Sequence, residues 1–416
     1  MMKQIFSHAL LCFVFMFAAC NHPAEHHADL KRDSVFNNGS FGYDLQFLKQ
    51  QDSGLVVLRN GDAHVIVSPK YQAKVFTSTA TGERGVSFGW INYKAFGKPL
   101  DAHMNAYGGE NRLWLGPEGG RYSLFFKPDS SMIISNWKTP PPIDVESWNV
   151  AGQNSNSVSM FKEMSLLNYA GTQLRLRVDR KVQILDPEEI SNRTGLIPND
   201  SIHIVGYETE NTLTNMGGKE WTVATGMPCI WLLDMFKPSP ETIIVVPFKP
   251  ASGKKFSEIA TTNYFGEIPP DRIIHNDSVL FFKADGKSRG KLGIVAAKTR
   301  NMAGSYDGEN KVLTIIQYDV DRSSRYLNQE WNITKPSFSG DAVNAYNDGP
   351  LANGTQMGPF YEIESVSPAA FLKPKQSLTH RHAVFHFTGN ERTLDQIAIK
   401  LLGTSLDRIQ SAFQKN

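Results

Sequence analysis

Short apolar runs separated by turn residues fill the body of this chain. Residues 55–58 and 65–67 flank Asn60-Gly61, a strong short-range signal for a β-hairpin, and Pro69 ends its second strand. Further runs recur at 75–78, 122–126, 132–137, 174–185, 202–207, 243–247, 279–283, 292–297 and 312–318. Within one of them Leu174, Leu176 and Val178 alternate with Arg175, Arg177 and Asp179, the period of a half-exposed strand. Helical periodicity is expected only at the end, over residues 393–414. There Thr393-Leu394-Asp395-Gln396 reads as a capping box. Leu394, Ile397, Ala398, Leu401 and Leu402 make one apolar face, Gly403 stands just beyond it, and a second turn follows with Leu406, Ile409 and Phe413. Many short strands at fairly even spacing predict an all-β sandwich or barrel. The absence of a fixed-period repeat argues against a propeller.

The first residues read as targeting sequence. Met1-Met2-Lys3 precedes an apolar run over 5–19, too short for a membrane span, which ends in Phe17-Ala18-Ala19-Cys20. Small residues before a cysteine are similar to a bacterial lipoprotein cleavage site, with residues 1–19 removed and Cys20 lipidated. The other reading is an ordinary signal peptide cut after Ala19. Both place the protein outside the cytoplasm, in the periplasm or anchored to the outer membrane through the lipid. Residues 20–38 are polar and unpatterned, a tether, which leaves 39–416 as a single domain. With Cys12 in the leader and Cys20 lipidated, only Cys229 remains, so no internal disulfide is expected. A net charge of +2 without a basic stripe gives no case for nucleic acid, and no nucleic-acid partner is expected.

Three clusters carry candidate chemistry. In residues 107–121, glycines let a ligand approach the backbone. Arg112 offers a planar fork of donors, Trp114 a face for a sugar ring, and His103 lies just upstream. Arg112 and Glu118 as a buried ion pair is the structural alternative. Residues 325–348 form a polar loop that includes Asp341, Tyr346 and Asp348, a mix suited to sugar or Ca²⁺, or else simply turn residues. Finally, Glu362 and Glu364 share one strand face, where neighbouring carboxylates raise each other's proton affinity and suit one of them to general acid or base work. His380, His382 and His386 also share a face, and a Glu/His pair across adjacent strands would move a proton or hold a metal. Each histidine alone reads equally as a satisfied strand residue.

The run from Tyr361 to Pro368, then Leu372-Lys373-Pro374 and the His380 strand, resembles the C-terminal signature of galactose-mutarotase-like proteins. In that signature a glutamate-bearing strand is followed by an L-x-P-G turn and a last core strand, and Lys375 stands at the turn glycine. The Asn111-Arg112-Leu113-Trp114, Ser339-Gly340-Asp341 and Tyr346-Asn347-Asp348-Gly349 phrases resemble an uncharacterised family of secreted Bacteroidetes-type proteins placed in that superfamily. The resemblance implies one β-supersandwich that binds carbohydrate on a concave sheet. It implies Glu364 as base at the anomeric hydroxyl and Arg112 as a sugar-binding arginine. The family's catalytic histidine is met here by Met216 or Met227. Three functions follow as expectations: a carbohydrate-active protein using Glu364 with His380 or His382 as its partner; a glycan-binding lipoprotein without catalysis; and a structural envelope component. His103, Arg112, Trp114, Glu118, Asp341, Tyr346 and Glu362 are the expected binding residues. No cofactor is required, and Ca²⁺ at Asp341, Asp348 or Glu362 is compatible with the first two.

Overall fold

The strands alternate as their sequences ask, and almost all are two-sided. In the computed structural model, which describes residues 35–197, 199–250 and 255–414, two antiparallel sheets face each other. The leader, Cys20 and residues 20–34 of the expected tether lie outside the described residues. From Val35 onward the chain makes one compact unit.

The larger sheet has ten strands, in spatial order Ile273–His275, Val279–Lys283, Thr242–Pro247, Met302–Asp307, Val312–Tyr318, Ser377–Gly389, Ile202–Asn215, Gln173–Ile184, Ser157–Leu167 and Asn149–Gln153. The smaller has six: Ala260–Thr261, Gly290–Val295, Asp341–Asn347, Tyr361–Val366, Cys229–Phe236 and Arg112–Gly116. A three-stranded sheet, Val56–Asn60, Ala63–Ser68 and Lys74–Thr79, bridges from Val75 to Asn111 and so continues the edge of the six-stranded sheet. Leu113, Leu232, Ile363, Val343 and Leu292 from the small sheet and Val178, Val205, Leu213 and Val384 from the large one meet in one core. This is the all-β supersandwich the sequence resemblance implies.

A second core forms on the outside of the large sheet. Helices Glu391–Leu402 and Leu406–Gln410 lay Leu394, Ile397, Leu402 and Ile409 on Phe385, Phe387, Ile315 and Phe281. The first helix starts three residues earlier than the capping-box reading: Asn390 is its cap, accepting from the Thr393 amide, and Gly403 ends it with φ at 73°. Other expectations are corrected. Helix Phe41–Gln51, capped by Ser40, lies near the start of the described region, and the capping box Asp186–Glu189 opens a second, Pro187–Thr194. Residues 122–126 form no strand, and 132–137 hold only the 3-10 turn Ile134–Asn136. These segments are apolar because they pack as buried loops: Tyr122, Leu124, Phe125 and Trp137 all belong to the core. Residues 341–347 of the expected loop are a central strand of the small sheet.

Candidate functional site

Register decides which side chains share a face. In the small sheet Arg112 lies opposite Leu233, Leu233 opposite Glu364, and Glu364 opposite Asn344; Glu362 lies opposite Tyr346, and Tyr346 opposite Lys291. Directly paired residues point the same way. Arg112, Trp114, Trp231, Glu362, Glu364, Tyr346 and Lys291 therefore stand together on the outer face, away from the large sheet. Loops carrying Glu118, Trp137, Phe265, Arg289 and Trp331 wall this face into a groove with an inner lobe of about 160 Å³ and an outer lobe of about 420 Å³.

Charged groups line the floor of the groove and lie just beneath it. Lys291 Nζ lies 2.9 Å from Glu364 Oε2, which also accepts from the Trp231 indole at 2.8 Å. Glu364 is fully buried, and its Oε1 accepts no hydrogen bond among the described residues. One step along the same strand, Glu362 Oε1 accepts from Arg112 Nη2 at 3.0 Å. Burial pushes the Glu362 carboxyl up to about 8; Arg112 opposes that rise and Glu364 adds to it. Glu118, on the wall, is also pushed up by burial, against the pull of Lys291. Aromatic faces enclose these groups. Trp114 packs edge-on to Trp231 with centroids 5.5 Å apart, and Trp137 stacks near Trp331 at 6.1 Å. Arg112 lies 4.2 Å over the Trp114 ring, and Lys291 4.6 Å over Trp231.

Of the residues the sequence singled out, the structure brings Arg112, Trp114, Glu118, Tyr346, Glu362 and Glu364 together. The expected Arg112–Glu118 pair is not made; Arg112 pairs with Glu362 instead. Asp341 sits beside the groove, held 2.8 Å from the Tyr264 hydroxyl and raised by burial to about 6. His103 does not line the groove: its Nδ1 lies 2.6 Å from the Trp137 carbonyl, so it fixes the loop that carries Trp137. Among the described residues no group of three or more His, Cys, Asp or Glu is arranged to hold a metal ion.

His380 and His382 do not meet Glu364, which corrects the expected proton-transfer pair. Even-numbered residues of their strand point into the sandwich, as does Ser365, whereas Glu364 points out. Ser365 Oγ lies 2.9 Å from His380 Nε2 and 2.8 Å from His382 Nδ1, and His382 Nε2 lies 2.7 Å from Asp234 Oδ2. One assignment satisfies all three contacts with neutral rings: His380 donates to Ser365, Ser365 to His382, and His382 to Asp234. Burial, with His382 alongside, pulls His380 down to about 3. Asp234 Oδ1 accepts from Asn111, and Asn111 Oδ1 accepts from the fully buried Arg180. His386 is likewise spent on Glu110 (3.0 Å) and Thr314 (2.9 Å). A cavity of about 410 Å³ beside His386 includes Tyr361 and Asp307 in its lining, but Ser305 engages the Tyr361 hydroxyl and Ser239 a carboxylate oxygen of Asp307.

Trp331 belongs to the polar stretch 325–348 singled out in the sequence, whereas Lys291, Arg289 and Trp231 were not legible as site residues. Lys291 did carry a signal, a lone lysine in the apolar strand Gly290–Val295. Trp231 had none, because its strand Cys229–Phe236 is apolar on both faces apart from Asp234.

The fold is similar to those of several solved bacterial structures. A protein of Escherichia coli K12 described as a candidate aldose 1-epimerase aligns over 80% of this chain and 98% of its own, at 11% identity and a TM-score of 0.47. The Slr1438 protein of Synechocystis sp. PCC 6803 aligns over 81% and 96%, at 11% identity and 0.47. A galactose mutarotase-like protein of Lactobacillus casei aligns over 80% and 100%, at 9% identity and 0.47. At these values the likeness concerns strand arrangement and transfers no residue role. No curated protein matches the sequence. One family model does, over residues 39–413, and the chain belongs to that family of unknown function, DUF6786.

Proposed function

We propose that this protein binds a carbohydrate in the groove of its six-stranded sheet, with Glu364 as the proton acceptor and Glu362 as the proton donor toward the bound sugar. The observation that carries the reading is the placement of two carboxyl groups in different environments on one strand, Glu362 lining an aromatic groove and Glu364 buried beneath it against the lining residues Trp231 and Lys291. Glu364 is ion-paired to Lys291 and keeps one oxygen without a partner. Glu362 is pushed up to about 8 and so holds its proton at neutral pH. Environments that separate two carboxyls in this way suit one to accept and the other to donate. In anomer exchange, an acceptor takes the anomeric hydroxyl proton while a donor protonates the ring oxygen. The role assigned to a histidine by the sequence resemblance falls to Glu362 in this proposal. Trp114, Trp137 and Trp331 supply apolar faces for the sugar ring.

The test is titration of the full chain with mono- and oligosaccharides, with and without Ca²⁺, followed by NMR exchange spectroscopy of any sugar that binds. Anomer exchange above the buffer rate, lost in Glu364→Gln with binding kept, supports both parts. Binding without accelerated exchange leaves a glycan-binding protein. Silence across the panel defeats the proposal. We further propose export and lipid anchoring at Cys20, read from the sequence of residues 1–20. Mass spectrometry of the mature N-terminus would show a diacylglyceryl cysteine, and an unmodified residue 20 would refute it.

A further inference from the structure

The groove cations are not equivalent. Arg112 is already engaged, donating to Glu362 at 3.0 Å, and Lys291 is ion-paired with Glu364. Arg289, at the rim where the inner and outer lobes join, forms no ion pair among the described residues and is exposed. Its guanidinium is nonetheless held in place. The carbon centre lies 3.8 Å over the Phe265 ring, and Nε lies 3.3 Å from the Tyr346 hydroxyl, which itself donates to Asp348 at 3.0 Å. The stacked ring and the Nε contact leave both terminal nitrogens without an acceptor among the described residues. A guanidinium oriented before a ligand arrives loses little freedom on binding, and its planar fork matches a carboxylate. Glu118 and Asp348 line the same rim. They repel a dianion about twice as strongly as a monoanion, which favours a carboxylate over a phosphate monoester.

We propose that the sugar bound in this groove is acidic, a hexuronate unit whose carboxylate is received by Arg289. This rests on the carbohydrate reading above and names its substrate class. The probes are galacturonate and glucuronate, as monosaccharides and short oligomers, each titrated into the full chain beside its methyl ester, the parent neutral sugar and the hexose 6-phosphate. Esterification removes the charge and keeps the ring. At low salt we expect the acid to bind roughly tenfold or more tightly than its ester, the scale of a charge-assisted bidentate contact. In Arg289→Met that ratio of acid to ester affinity should fall to about one. Arg289→Lys, which keeps the charge without the fork, should fall between. Equal binding of acid and ester by the wild-type chain overturns the proposal, as does a preference that survives Arg289→Met. Tighter binding of the 6-phosphate than of either uronate also overturns it. If neutral sugars bind and acids gain nothing, this inference fails alone. If nothing binds, the carbohydrate reading fails with it.

Discussion

The strand Tyr361–Val366 has two buried polar faces, and they behave in opposite ways. Inward, Ser365 joins His380, His382 and Asp234 in a chain where each member has its partner. Outward, Glu362 and Glu364 are buried as deeply, yet Glu364 keeps an oxygen without a partner and Glu362 holds its proton against an adjacent arginine. Reciprocal satisfaction marks a network that specifies the fold. Unspent valence beside a groove marks one that awaits a ligand. Burial and charge alone would not have separated the two.

The comparison can be broken most forcefully from the inside. Asp234→Ala strips acceptors from His382 and Asn111, and we expect it to lower stability by about 3–5 kcal/mol. Urea denaturation would measure this, and a loss under 1 kcal/mol would contradict a structural role for the inner chain. From the outside, Glu364→Gln keeps the shape of the floor. It should slow anomer exchange by about 100-fold or more while saccharide affinity changes only a few-fold. A variant that exchanges sugar at the wild-type rate would remove Glu364 from the chemistry.

Stability should also depend on pH in opposite senses. Glu362 is raised from 4.5 to about 8, so between those values the folded chain keeps a proton the unfolded chain has released. Its contribution is therefore fully present below pH 4.5 and is lost as pH rises to 8. His380 is lowered from 6.5 to about 3, so its contribution is present above pH 6.5 and is lost as pH falls toward 3. Of these two trends, Glu362 alone acts between pH 6.5 and 8 and His380 alone between 3 and 4.5, so each is read as the difference between the wild-type chain and its Gln variant. We expect each to be worth about 1–2 kcal/mol. Glu362→Gln should flatten the alkaline limb and His380→Gln the acid limb in melts across pH; crossed effects would show that the two faces are not independent. The smallest effect lies outside both faces. Lys375 holds φ at 69°, so Lys375→Gly should raise stability by about 0.5–1 kcal/mol, and a lower melting temperature would count against strain at that turn.

Much of the fold was readable because strands announce themselves locally. Asn60-Gly61 does close a hairpin, with Asn60 opposite Ala63, and the runs at 279–283 and 312–318 are strands as expected. The Phe41–Gln51 helix was missed although Ser40 and the spacing of Phe41, Leu45 and Leu48 signal it. Apolar residues at 122–126 misled because burial, not strand pairing, selects them. For the site, period two correctly put Glu362 with Glu364 and His380 with His382. It did not say which face each strand turns to the core, and that is a property of neighbouring strands. Hence the expected glutamate–histidine pair was placed on one side of a sheet that separates them.

The alternation within that one strand has a consequence for how the protein can change. Positions 362 and 346, which lie opposite each other, and the ion-paired positions 364 and 291, changed together, can be rewritten for a new ligand without touching the contacts that join the sheets. Positions 361, 363 and 365 carry those contacts and leave the groove untouched. Randomising the first set should yield folded proteins of altered specificity. Randomising the second should yield survivors that differ in how well they fold and agree in what they bind.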